Sequence, residues 1–271
     1  VLCGLTLTWL AWFSLLGYLP VTVFDTGDRL VQDQRLRWQA PAANPQVLIV
    51  DIDEKSLVSE GRWTWPRTRI AELARRIVDE GKARVLAFDI VFAEPLPGED
   101  ALLAAALRDR PVVLGYYFSG DGYAQRIGQL PVPVMSLAEL DTVQGQPFAW
   151  QGFGANRPEL AGAVEAAGFF NAVVDADGRV RSVPLLGAHD GQVYESLAIA
   201  VLRISEGRAP LQIGPQSLAI GPLRIPFSGS LTARVPFRGD AGPGAGRIDY
   251  VSAADVLAGR VDARVFNDRI V

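Results

Sequence analysis

The stretch "VLIVDIDEKSL", Val47 to Leu57, decides how the rest of the chain is read. Its first part, "VLIVDI" (47–52), is a short apolar run of the kind that forms a buried strand. The run ends in Asp51 and Asp53, two carboxylates one residue apart. Downstream, "PRTRIAELARRIVDEG" places Pro66 where a first helical turn takes it and Gly81 just past the end. Ile70, Leu73, Ala74, Ile77 and Val78 share one face at helical spacing. "RVLAFDIVF" (84–92) is a second near-continuous apolar strand. "EDALLAAALRDR" (99–110) is a further helix and "PVVLGYYF" (111–118) a third strand. Strand, helix, strand, helix, strand with short connections predicts parallel pairing through right-handed crossovers.

Further out the pattern weakens. Residues 119–160 are rich in Gly, Pro and Gln, with one short helix expected at 136–141. "GFFNAVVDADGRVRSVPLL" (168–186) reads as a hairpin turning at "DADGR", because Asp and Gly accept the backbone angles of a tight turn. "DADG" also resembles the start of a calcium loop, but the later ligands and the downstream Glu are missing. "ESLAIAVLRISEG" (195–207) is an apolar helix closed by Gly207. In "SAADVLAG" (252–259), Ser252 and Asp255 stand in a capping-box arrangement. "DRIV" (268–271) reads as a strand cut off early. The fold class expected is α/β: a mixed sheet with a parallel βαβαβ core flanked by helices, plus β-hairpin additions.

The first 24 residues carry no charge, which is long enough to cross a bilayer at about 20 residues per span. Trp9, Trp12 and Tyr18 are of the kind found near membrane interfaces. A signal peptide has a shorter apolar core, usually about 7–15 residues. The expected organisation is a transmembrane helix at 1–20, a connector helix and linker at 21–45, and a domain at 46–271. The chain does not begin with Met and reads as a fragment.

Of 271 residues, 49% are hydrophobic and 21% charged, and the net charge is −4. No basic patch interleaved with aromatics marks a nucleic-acid surface. Cys3 is the single cysteine, so no intramolecular disulfide forms. His189 is the single histidine, and with one Cys it makes no His/Cys zinc site. No metal or other cofactor is expected.

Ligands of open parallel sheets bind beyond the carboxyl ends of the strands. Asp51 and Asp53 lie at that end of the first strand, Asp89 toward that end of the second, and Glu94 on the next loop. If the two strands are neighbours, these carboxylates converge on one rim. Arg62, Arg67 and Arg69 are the nearby cations that would offset their repulsion. "GRWTWPRTR" sets Trp63 and Trp65 among those arginines, offering stacking faces and anion donors together. Three readings follow. The residues line a ligand pocket. Or the acids cap helices and pair with arginines while the Trp residues close the core. Or Asp51 and Asp53 serve a Mg-dependent phosphatase, since "LIVDID" resembles the Asp-x-Asp motif of haloacid-dehalogenase-type enzymes. That family usually continues with x-Thr or x-Val and has a later acidic pair. Here Glu54-Lys55 follows, and the chain has no Asp-Asp.

Four segments in order, "VLIVDIDEKSL", "GRWTWPRTRIAELARRIVDEGKARVLAFDIVFAEP", "GFFNAVVDADGRVRSVPLL" and "DYVSAADVLAGRV", resemble the type-two CHASE domain, the cyclase/histidine-kinase-associated sensory extracellular domain. The resemblance covers about residues 25–271. Its most specific part is Ile52 and Asp53, then Gly61, Trp63, Trp65, Pro66 and Arg67, then Phe88, Asp89, Ile90, Phe92, Glu94 and Pro95. It implies an extracytoplasmic sensor of a bacterial inner-membrane receptor, with residues from about 25 onward outside the cytoplasm. It also implies a cytoplasmic output module (nucleotide cyclase, diguanylate cyclase or kinase) and a homodimer. It implies an unknown small ligand or envelope component as stimulus, and assigns no catalytic residue to this segment. The ligand-site candidates are Asp51, Asp53, Trp63, Trp65, Arg67, Asp89 and Glu94.

Overall fold

The computed structural model describes Trp9, Trp12 and residues 44–120, 125–140, 143, 145–175, 177–237 and 248–271. The membrane helix expected at 1–20 and the connector at 21–45 lie outside these residues, except for the two tryptophans and residues 44–45. Trp9 and Trp12 are helical, their rings edge-on at 5.9 Å. Among the described residues no helix is long and apolar enough to cross a membrane.

The region from Asn44 on is mixed α/β. In chain order it begins with β1 (Leu48–Asp51), α1 (Glu54–Glu60), α2 (Arg67–Arg75), β2 (Leu86–Phe88), α3 (Glu99–Leu107) and β3 (Val112–Ser119). The five elements of the strand-helix pattern form where the periodicity places them. Helix α2 widens into a π-helical stretch, Arg76–Glu80, before Gly81. The helix expected at 136–141 is a short 3-10 turn, Leu137–Leu140.

Strand order departs from the expectation. β2 pairs parallel with β3, and β3 with β5 (Ala166–Phe169). β1 does not pair with β2. Its partner on one side is β14 (Asp249–Ser252), in parallel register Leu48↔Asp249 through Asp51↔Ser252. On its other side lie residues 269–271, bridged in parallel to Val47 and, across the gap, to Val85. Leu48 N–H donates to Ile270 O at 2.9 Å and Ile270 N–H to Gln46 O at 2.8 Å. On the far edge Ala87 N–H donates to Val271 O at 2.7 Å and Val271 N–H to Val85 O at 2.9 Å. The parallel order is therefore β14, β1, 269–271, β2, β3, β5. The short run expected as a terminal strand sits in mid-sheet, since Ile270 and Val271 satisfy backbone groups on both neighbours at once.

Both faces are covered, as a parallel sheet requires. On one, Ile70, Leu73, Ala74 and Ile77 of α2 pack with Leu103 and Leu107 of α3 against Phe88 and Leu114. On the other, Ala200, Val201 and Ile204 of α5 (Leu197–Ser205) pack on Val85, Val113 and Ala166. The hairpin expected over 168–186 is shorter: residues 168–169 belong to β5, and the turn joins β6 (Val173–Val174) to β7 (Val180–Pro184). Asp175 N–H donates to Arg179 O there, and Gly178 has φ +79°. A second cluster gathers Leu186 of β8 (Leu186–His189), Val193 of β9 (Gln192–Glu195) and Ile199 with Leu218 and Ile220. The last two belong to the meander β10 (Leu211–Ile213), β11 (Ser217–Ile220) and β12 (Leu223–Pro226).

Gly168 lets α5 sit against β5: an added Cβ would lie 2.5 Å from the Leu197 Cα. Gly168→Ala is expected to lower stability by about 1–3 kcal/mol through overpacking. Urea denaturation checks it, and an unchanged midpoint would mean the helix does not abut the strand this closely.

Candidate functional site

The strand-end residues divide into joints of the fold and groups left open. Asp53 is a joint. It caps α1: its Oδ1 accepts from Ser56 N–H at 2.8 Å, Ser56 Oγ at 2.7 Å and Ser252 Oγ at 2.9 Å. Burial raises the Asp53 pKa, but these hydrogen bonds and the charge of Lys55 outweigh it, and the net displacement is downward. Ser56 Oγ in turn accepts from Ala254 N–H at 3.0 Å, at the start of α6 (Ala253–Leu257). The capping box expected at Ser252 and Asp255 therefore does not form. β1 and β14 end side by side, so the two following helices begin together, and Ser56 of α1 caps α6. The Asp255 carboxylate instead accepts from Lys55 Nζ at 2.7 and 2.6 Å and pairs with Arg260.

Arg67 is the second joint, 4% exposed. Its Nε donates to Asp100 Oδ1 at 3.0 Å and its Nη2 to the Glu94 carbonyl at 3.0 Å. Its backbone N–H donates to Glu99 Oε2 at 2.7 Å, and the guanidinium lies 4.8 Å from the Phe92 ring centre. Asp100 also accepts from Leu96 N–H, so the start of α2 is tied to the start of α3. Trp65 is 1% exposed, its Nε1–H bound to Gly61 O at 2.9 Å. Trp63 packs on it, ring centres 5.9 Å apart, and stays 41% exposed. The Glu94 side chain is exposed. Arg69 pairs with Glu60 and Glu72 rather than with the strand-end acids.

Asp51 and Asp89 are brought to one cavity of about 500 Å³, which Asp53, Trp63, Trp65, Arg67 and Glu94 do not line. Residues 269–271 lie between the two strands, so the acids do not stand on adjacent strands. The cavity walls are chiefly apolar, including Ile49, Val50, Ile52, Phe88 and Ile90, with Val271 between them. Neither acid has an ion-pair partner among the described residues. No group of three or more His, Cys, Asp or Glu among them is placed to hold a metal ion.

A larger cavity, about 770 Å³, lies elsewhere. It is lined by the loop at 129–134, the segment around Glu165, Glu195 at the end of β9, and Arg203 and Arg208 at the end of α5. Arg203 donates to Glu195 from Nε at 2.9 Å and from Nη2 at 2.6 Å. Arg208 donates to Glu165 from Nε at 2.6 and 2.8 Å, and from Nη2 as well. Arg208 holds Glu165 below its ordinary range by hydrogen bonding, with Arg203 adding to the effect by its charge. Nothing in the sequence singles these four residues out, because they are spread over segments with no shared motif.

With the geometry in place, comparison with known proteins identifies the family. The family model described as "CHASE2 domain" matches residues 5–271, and the chain belongs to that family. CHASE2 domains are extracellular sensory domains of signalling receptors, so this segment is sensory rather than catalytic. No curated protein and no solved structure shows a significant match.

Two predictions follow from the joints. Arg67→Met leaves Asp100 buried without its cation and should cost about 3–5 kcal/mol, read from urea denaturation. Asp53→Ala should cost about 1 kcal/mol at neutral pH through the lost cap. The folded-state pKa of Asp53 lies below its unfolded value of about 3.9. Its contribution is therefore present above that value and lost as pH falls through the folded one. The stability gap between wild type and Asp53→Ala should narrow on acidification below about pH 4, and a gap that widens there would contradict the assignment.

Proposed function

We propose that this CHASE2 domain is the extracytoplasmic sensory part of a bacterial inner-membrane receptor, and that it passes a stimulus to a cytoplasmic output module. Family membership over residues 5–271 carries the reading. The uncharged run before Asp25 supports a membrane span ahead of the domain. The output is a nucleotide cyclase, a diguanylate cyclase or a kinase, and the receptor works as a homodimer.

The signalling step is a shift between two arrangements of the domain. A ligand or envelope component drives it only by binding the two arrangements with different affinity. Of the strand-end residues, Asp51, Asp89, Trp63 and Glu94 have side chains at least partly open to an incoming partner. Asp53, Trp65 and Arg67 hold the loops that carry those groups, and Asp53 is engaged by three donors rather than poised beside a reacting phosphate.

Cysteine labelling in cells tests the placement. Val58 is 84% exposed, so Val58→Cys in a Cys3→Ser background presents one accessible thiol. A membrane-impermeant maleimide should label it in intact spheroplasts to the same extent as after lysis. Labelling that appears only on lysis would place the domain on the cytoplasmic side and end this reading.

A further inference from the structure

The larger cavity carries a second conclusion, independent of the strand ends. Two ion pairs line this cavity, Glu195 with Arg203 and Glu165 with Arg208, and together they make a line of four charged groups along its wall. Their formal charges cancel. The line runs from depth to mouth: Glu195 is 5% exposed, whereas Arg208 and Glu165 are about half exposed. In both arginines, Nε and Nη2 are spent on the paired carboxylate, and Nη1 makes no hydrogen bond among the described residues. The other side is apolar, made of Leu130, Val132, Val134 and Leu211 with Pro131 and Pro133. Val132 stands 89% exposed there, a large apolar side chain without cover. Arg208 is also held at φ +65°, a conformation costly for a residue with a side chain.

We propose that this cavity binds a small zwitterion with an apolar body, of the class of a hydrophobic amino acid or short peptide with free termini. A lone anion on the Nη1 donors would set its charge against Glu165 and Glu195, and a lone cation would face two arginines. A molecule carrying both charges adds to the line without displacing either pair. Its carboxylate takes the unspent Nη1 donors, its ammonium lies on Glu165, and its side chains cover Val132. At about 770 Å³ the cavity lies within the range of small-molecule sites and has room for a dipeptide.

The test uses the whole chain, purified, with L-leucyl-L-leucine as probe and calorimetry and thermal melting as readouts. Saturable binding that raises the melting temperature is expected. 4-Methylpentanoate lacks the ammonium and isoamylamine lacks the carboxylate, and each should bind at least about tenfold more weakly. Arg208→Met, at a solvent-exposed pair, and Glu165→Gln should each weaken the dipeptide to a similar degree. Should either variant fail to fold, Val132→Asp at an exposed position supplies the same test from the apolar wall. Absence of saturable dipeptide binding, equal binding by either analogue, or undiminished binding in the folded variants overturns the proposal. The binding stands apart from the receptor reading: a dipeptide that binds and leaves signalling output unchanged counts against the sensory role of this cavity alone.

Discussion

The sheet is continuous only because Ile270 fits between Val47 and Val85 and is bridged to both. Without residues 269–271, β14 with β1 would form one parallel pair and β2, β3 and β5 a separate sheet. The partners are far apart along the chain. Ile270 is joined to Gln46 and Leu48 only after everything between has been threaded, so closing the sheet costs loop entropy before its hydrogen bonds form. Parallel sheets with such long-range pairing fold slowly, and the two halves of this one cannot join before residues 269–271 are in place.

The charged residues at the strand ends are best understood against that arrangement. β1 and β14 finish together at Asp51 and Ser252, so the chain must start two helices in the same place. Each helix start exposes N–H groups in need of acceptors. The Asp53 carboxylate accepts from the start of α1 and the Ser56 hydroxyl from the start of α6, and the Ser252 hydroxyl donates to Asp53 between them. Arg67 does comparable work between α2 and α3, in a site dry enough that the guanidinium requires Asp100, a carbonyl and an aromatic face to remain there. Asp53 and Arg67 thus act on architecture.

The first three strands, with α2 and α3, were legible in the sequence, because burial of one helical face and of whole strands leaves a periodic apolar trace, whereas α1 was not read as a helix. Which strands lie next to each other was not. Parallel neighbours are chosen by crossover connections and distant pairings, and the four residues "DRIV" show no sign that they enter mid-sheet. The strand-end residues were legible as a group, but not their division of labour: the Asp53 cap on α1 is local, but its tie to Ser252 spans some two hundred positions. The paired arginines of the larger cavity left no trace, since their partners come from other elements and only folding brings them together.

The parallel setting of residues 46–48 and 269–271 has a mechanical consequence. One segment enters the sheet from the amino-terminal edge, and its neighbour runs toward the opposite edge. Tension applied between Gln46 and Val271 would therefore pull along the strands and load the Leu48–Ile270 and Gln46–Ile270 hydrogen bonds in shear, together rather than one after another. Strands joined in this way yield abruptly after resisting, unlike a hairpin, which unzips. Movement imposed at either of these positions is passed on to the sheet as a rigid displacement instead of being absorbed by local fraying.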